Sequence, residues 1–196
     1  MRRVVSLSAL FAALLLILVS AFADQTNSQQ RNGAASSGDT GRGPGLHDSR
    51  ADESKLLATG YTLREVERLE SQCFEEVNRQ RRGQGIRSLE FSQALLPVAR
   101  AYSRRMAEGG FFSHTDPEGR TIRHRVDEAG IKWTTLGENL ASSNGYINPV
   151  AVSMRGWMAS VDHRRNILDP RYTHAAVGVW IGQDSTIYFT EIFLRE

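Results

Sequence analysis

Only one cysteine, Cys73, stands in the 196 residues, and a lone thiol cannot close an internal disulfide. Burial and hydrogen bonding must therefore hold the fold. Spacing gives Cys73 a plain use: Val66, Leu69, Cys73 and Val77 recur at steps of three and four, the inward face of a helix. Long runs of one charge are also missing. The formal net charge is +2, and arginine far outnumbers lysine. The arginines are scattered among acids without interleaved aromatics, which argues against nucleic acid as a partner and marks them as mainly solvated surface. No internal repeat is present, so a solenoid is excluded. No HExxH helix and no Ser-His-Asp or Cys-His arrangement can be read, so no hydrolase is announced by a local motif.

One long apolar run is present, Val4 to Val19, behind Arg2 and Arg3. Ala21-Phe22-Ala23 places small residues where a signal peptidase reads them, so residues 1–23 are expected to be a signal peptide. Its alternative is an uncleaved anchor, since counting on to Phe22 gives a stretch about long enough to span a thinned bilayer; membrane association is expected only in that case. No cysteine follows the run, which argues against lipoprotein acylation. Export places the mature chain outside the cell or in the periplasm and cell envelope. Residues 24–60 are rich in Gln, Asn, Ser, Gly and Asp and carry almost no large apolar residue before Leu56. Such a segment buries too little to offset its ordering entropy and is expected to be a disordered leader or linker. One domain, residues 61–196, remains, and a hydrophobic share of 40% is ordinary for a globular chain.

Within it, Thr62 and Glu65 have capping-box spacing and Tyr61 with Val66 that of a hydrophobic staple, opening a helix that should end near Arg82-Gly83. Ser92 is a plausible cap for a second helix through Leu95, Val98, Ala99, Tyr102 and Met106, stopped by Gly109-Gly110. Asp116-Pro117-Glu118-Gly119 suits a type I turn, and a short helix follows from Ile122 to Ala129. Asn148-Pro149 starts another helix, ending near Ser160 to Asp162. Val177, Val179 and Ile181 alternate, and after a turn at Gly182 to Ser185 the segment from Thr186 to Leu194 completes an antiparallel hairpin. Helices first and strands between and after them indicate an α+β domain.

Against this frame, His114, Glu138 and His163 are polar groups in apolar or turn-rich surroundings, residues suited to meeting across a fold. The sequences around them carry a resemblance. Val77-Asn78-Arg79-Gln80-Arg81, Phe112-Ser113-His114-Thr115-Asp116-Pro117-Glu118-Gly119, Gly137-Glu138-Asn139-Leu140-Ala141, and Trp157-Met158-Ala159-Ser160 leading into His163-Arg164-Arg165-Asn166-Ile167-Leu168 resemble, in order, the blocks of the CAP superfamily. That is the SCP domain of cysteine-rich secretory proteins, antigen 5 and pathogenesis-related proteins, here in its short, disulfide-free bacterial branch. The resemblance covers the region from about Glu65 to the C-terminus. It implies a three-layer α-β-α sandwich with a central antiparallel sheet, and a cleft lined by two histidines and two glutamates. His114, Glu138 and His163 take three of those places, and Ser160 stands where the second glutamate would be. The family's divalent-metal binding, usually discussed for zinc, rests on the full set.

Chemistry allows two uses of the trio. Two imidazoles and a carboxylate suit Zn²⁺ at roughly 2.0 to 2.2 Å with a coordination place left open. The same groups could instead be a hydrogen-bonded cluster that orders three loops, with His163 capping a helix end. Glu191 alternates with Ile187, Phe189 and Phe193, so it should point into an apolar layer and need a partner there; the family often has glutamine at this place, and a structural hydrogen bond is the expected use. Asn139 is expected to be a turn-forming side chain supporting the cleft, and His124 and His174 ordinary surface or packing residues. Two function classes follow. One is a binding module for a lipid, sterol, polysaccharide, cell-wall fragment or protein. The other is a metal-dependent, peptidase-like hydrolase in which His114 and His163 hold a metal or act as acid and base and Glu138 positions water. With no nucleophile or oxyanion site identifiable, Ser160 included, binding is preferred.

Overall fold

In the computed structural model, which describes residues 61–196, helix α1 (Leu63–Gly83) begins at the expected capping box. Thr62 Oγ1 accepts from the Glu65 backbone N–H and the Glu65 carboxylate accepts from that of Thr62. The expected signal peptide (1–23) and leader (24–60) lie outside the described residues. Past α1, Asn78 accepts from the Leu89 N–H at 2.7 Å and donates to the Leu89 carbonyl at 3.1 Å. That clamp lays strand β1 (Glu90–Phe91) against the sheet. Helix α2 (Leu95–Gly109) follows, with Ser92 Oγ accepting from Leu95 N–H, and ends where Gly110 turns left-handed at φ 64°. Next come α3 (Ile122–Glu128), β2 (Thr135–Ser143) and α4 (Pro149–Ala159), the last capped by Asn148.

Beyond α4 the sequence reading needs correction. The helix does end at Ser160, but the chain restarts at once as α5 (Val161–Leu168). Ser160 takes extended backbone angles between the two and its side chain makes no capping bond, so a kinked helix pair stands where one helix end was expected. Strands β3 (His174–Ile181) and β4 (Ile187–Arg195) form the expected hairpin.

Strand order is β1-β3-β4-β2. β3 pairs with β4 and β4 with β2 antiparallel, but β1 pairs parallel to β3. The sheet is therefore mixed rather than wholly antiparallel: the Glu90 and Ser92 N–H groups donate to the Thr173 and Ala175 carbonyls, the slanted pattern of a parallel pair. The sandwich has α1, α4 and α5 on one face, around Cys73, Val77, Trp157, Ile167, Phe189 and Phe193, and α2 with α3 on the other, around Leu95, Ala99, Val126, Ile192 and Leu194. On the second face α2 crosses so near β3 that a Cβ on Gly178 would stand 2.1 Å from the Arg100 backbone nitrogen, which requires glycine there.

Two arginines depart from the expectation of solvated surface. Arg81 is fully buried and donates to the carbonyls of Arg87, Ile167 and Asp169 at 2.7–2.9 Å. Arg125 is 9% exposed and lies in the site. A guanidinium with five donors satisfies several carbonyls or a carboxylate at once, which makes its burial tolerable.

Candidate functional site

The loop carrying His114 is fastened from two sides. Tyr102 of α2 donates its hydroxyl to the Ser113 carbonyl at 2.5 Å. The expected turn forms, with the Gly119 N–H donating to the Asp116 carbonyl at 2.9 Å, and the buried Asp116 carboxylate accepts from the Arg120 N–H and Arg120 Nε at 2.8 and 2.9 Å. From there His114 reaches strand β2, where its Nδ1 lies 2.9 Å from Glu138 Oε1. A carboxylate only accepts, so Nδ1 carries the proton and the free face of the ring is Nε2.

Glu138 shares its side of β2 with Leu136 and Leu140, toward α2 and α3. Its side chain is 3% exposed, while that of His114 is 55% exposed. The second carboxylate oxygen accepts from Arg125 Nη2 at 2.5 Å. Arg125 is itself fixed, its guanidinium stacked 3.3 Å over the Tyr102 ring and Nη1 donating to the Arg120 carbonyl. A buried ion pair thus stands behind a solvent-facing imidazole. Sequence reasoning missed Arg125 and Tyr102. The usable signal was local: Ile122, Arg125 and Val126 fall at steps of three and four, so Arg125 is on the inward face of α3.

His163 comes from α5, its ring centre 6.3 Å from that of His114 with the planes tilted by 43°. It lies inside the helix and does not cap it. Burial, then the neighbouring His114, hold its pKa below the ordinary histidine value, with Asp162 opposing. Asn139 is in strand β2, not in a turn, and points to the opposite face from Glu138. Its amide donates to the His163 carbonyl at 3.1 Å and its oxygen accepts from Asn166 at 3.0 Å, while Asn166 also donates to the Glu138 carbonyl. Together these bonds seat α5 against β2. Ser160 contributes only its place at the α4–α5 junction. Glu191 is fully buried on the α1 face, away from the imidazoles; neither carboxylate oxygen makes a well-formed hydrogen bond, and the Asn139 amide is a side-chain donor close to it. His124 caps α3, its Nδ1 accepting from the Thr121 N–H, and His174 bonds Thr173.

Three residues far apart in sequence therefore meet, but not as three donors to one ion. Both Glu138 oxygens are taken, one by a guanidinium that opposes a cation, and no group of three or more His, Cys, Asp or Glu side chains among the described residues is arranged to hold a metal. The arrangement suits two imidazoles as donors, with Glu138 orienting His114 from behind. No serine, threonine or cysteine side chain is bonded to either imidazole among the described residues. A hollow of about 660 Å³ lies elsewhere, between α1 and α4 around Glu76, Arg79, Met154 and Met158. Its position gives it no part in the chemistry of the trio.

Comparison with known proteins agrees with the architecture. The family model for CAP, the cysteine-rich secretory protein family, matches residues 74–193. Among curated proteins, the uncharacterized protein YkwD of Bacillus subtilis is 35% identical over 128 residues, covering 65% of this chain and 49% of its own length. The uncharacterized membrane protein YlbC of the same organism is 32% identical over 127 residues, covering 64% of this chain and 34% of its own. The chain thus spans half or less of these relatives. Among solved structures, an extracellular protein containing a SCP domain from Bacillus anthracis aligns with a TM-score of 0.59 at 26% identity, over 65% of this chain and 40% of that one. An outer surface protein of Borrelia burgdorferi aligns with a TM-score of 0.59 at 19% identity, over 64% and 91%; at that identity it speaks for the fold alone. No helix among the described residues is long and apolar enough to cross a membrane.

Proposed function

Since the chain belongs to the CAP family of cysteine-rich secretory proteins, we propose that it is a binding module working outside the cell or in the envelope, with His114 and His163 as its ligand-contacting groups. One observation carries this reading: His114 is half exposed, yet is aimed by a carboxylate that is buried and itself fixed by Arg125. A side chain held that firmly with a nitrogen free toward solvent is preorganised for a ligand. The ligand classes it fits are those with hydrogen-bonding groups, such as an envelope polysaccharide, a cell-wall fragment or a protein loop. A divalent ion, zinc first, belongs to the same proposal, and His114 and His163 would hold it. Bound there, it would supply a Lewis-acid centre beside the ligand.

The hydrolase reading draws support from the same His114–Glu138 pair, since a carboxylate behind an imidazole favours proton acceptance. It finds no bonded hydroxyl or thiol to activate, so binding is favoured. Calorimetric zinc titration of the wild-type protein and of a His114→Ala, His163→Ala double variant tests the metal: heat lost in the variant supports it, and equal heats remove it. A peptide and ester substrate screen with and without chelator separates the two classes. Turnover abolished by the double variant would replace the binding reading with the enzymatic one.

A further inference from the structure

Glu191 is the least explained group in the described residues. It sits mid-strand in β4 with Asn139 of β2 and Val177 of β3 as its register partners, fully buried on the α1 face, and neither oxygen is hydrogen-bonded. An ionised carboxylate without partners in such a layer is costly, so the side chain belongs there as an uncharged acid. Burial pushes its pKa well above the ordinary carboxylate range, and the Asn139 amide and the Arg81 guanidinium offset this only in part.

The identity of those two polar neighbours matters. Asn139 donates to the His163 carbonyl and accepts from Asn166, both in the body of α5. Arg81 donates to the carbonyls of Ile167 and Asp169, at the end of the same helix. Each polar group near enough to respond to a charge on Glu191 is thus already employed in holding α5. A carboxylate is a stronger acceptor than a peptide carbonyl, so a charge on Glu191 would pull the Asn139 amide and the Arg81 guanidinium toward itself and strain the bonds they make to the helix. The other titratable groups around it are Cys73 on α1, itself buried, and Asp169 and Tyr172 beside Arg81; α4 presents the apolar Trp157 to this layer. None supplies a second cation to absorb the charge.

We propose that Glu191 is a proton-operated latch on helix α5, seating His163 while it is an uncharged acid and loosening the helix once it ionises. This holds whichever ligand the imidazoles take. A group whose folded pKa lies above its unfolded value gives stability that is complete below the unfolded pKa and is lost as pH rises through the folded one. Compared with Glu191→Gln, which keeps the shape and cannot ionise, the wild type should match in stability near pH 4. Its folded-to-unfolded ratio should then fall relative to the variant by about tenfold per pH unit above the unfolded carboxylate value, until the folded pKa is passed.

The test is urea unfolding of both proteins across pH 4 to 9, with amide hydrogen exchange read on residues 161–168 against 95–109. The expected result is a widening gap, with protection lost selectively in α5 of the wild type. Parallel pH curves overturn the proposal, and so does a widening gap with α5 protection equal to that of α2. Carbon NMR titration of the Glu191 carboxyl in the wild type needs no variant. A carboxyl ionised at pH 6 overturns the proposal, and one still protonated there sustains it.

Discussion

Glu138 and Glu191 lie on adjacent strands of one sheet, at 6% and 0% exposure, and the two faces of the sandwich treat them in opposite ways. On the α2–α3 face, Glu138 has a guanidinium on one oxygen and an imidazole on the other. On the α1–α5 face, Glu191 has neither. The difference shows how burial is made tolerable: by a bonded countercharge on one side, and by keeping the proton on the other. It also divides labour. The paired carboxylate aims His114 outward, and the unpaired one stands behind the bonds that seat His163.

Breaking the paired side should cost most. Arg125→Leu leaves the Glu138 carboxylate buried with His114 alone, and removing one partner of a buried pair costs roughly 3–5 kcal/mol. Urea unfolding at neutral pH reads this directly. Because Arg125 also stacks on Tyr102, which holds the Ser113 carbonyl, the His114 ring should lose its fixed orientation as well, seen as averaged imidazole NMR signals. A variant as stable as the wild type would mean that Glu138 needs no guanidinium, and the contrast with Glu191 would vanish.

A smaller effect is expected at Asn139, on the α1–α5 face. Asn139→Ala removes the donor to the His163 carbonyl and the acceptor for Asn166; both bonds are only part-buried, so their loss together should cost about 1–3 kcal/mol. The loss should appear as faster amide exchange in α5 while α2 is unchanged. Equal exchange in both helices would show that Asn139 supports the sheet generally rather than α5 in particular.

Local signals in the sequence carried most of this architecture. The capping box at Thr62 and Glu65, the Asn148-Pro149 start and the alternation in β3 and β4 depend on neighbours a few residues away, and such signals survive folding unchanged. His114, Glu138 and His163 stood out because polar groups sit in apolar or turn-rich sequence there, and the family blocks around them fixed their order. What was not legible is long-range. The parallel β1 depends on bonds from the Glu90 and Ser92 N–H groups to the distant Thr173 and Ala175 carbonyls, and the burial of Arg81 on carbonyls more than 80 residues away in sequence. That Glu138 meets Arg125 follows from the packing of α3 on β2, which no spacing along the chain encodes.

The smallest effect sharpens the unpaired side. Cys73 is fully buried on the α1 face, and burial above all holds its thiol well above its ordinary pKa. A thiol reacts as the thiolate, so the native protein at pH 7 should take up no maleimide over hours and one equivalent once unfolded, counted by mass spectrometry. Because α1 and α5 share this layer, the same label tells how far a disturbance at Glu191 spreads. If raising the pH exposes α5 amides while Cys73 stays unlabelled, the loosening is confined to the helix that carries His163. If Cys73 labels in step with those amides, the whole face opens together, and the contrast between the two carboxylates becomes one of global stability rather than of local control.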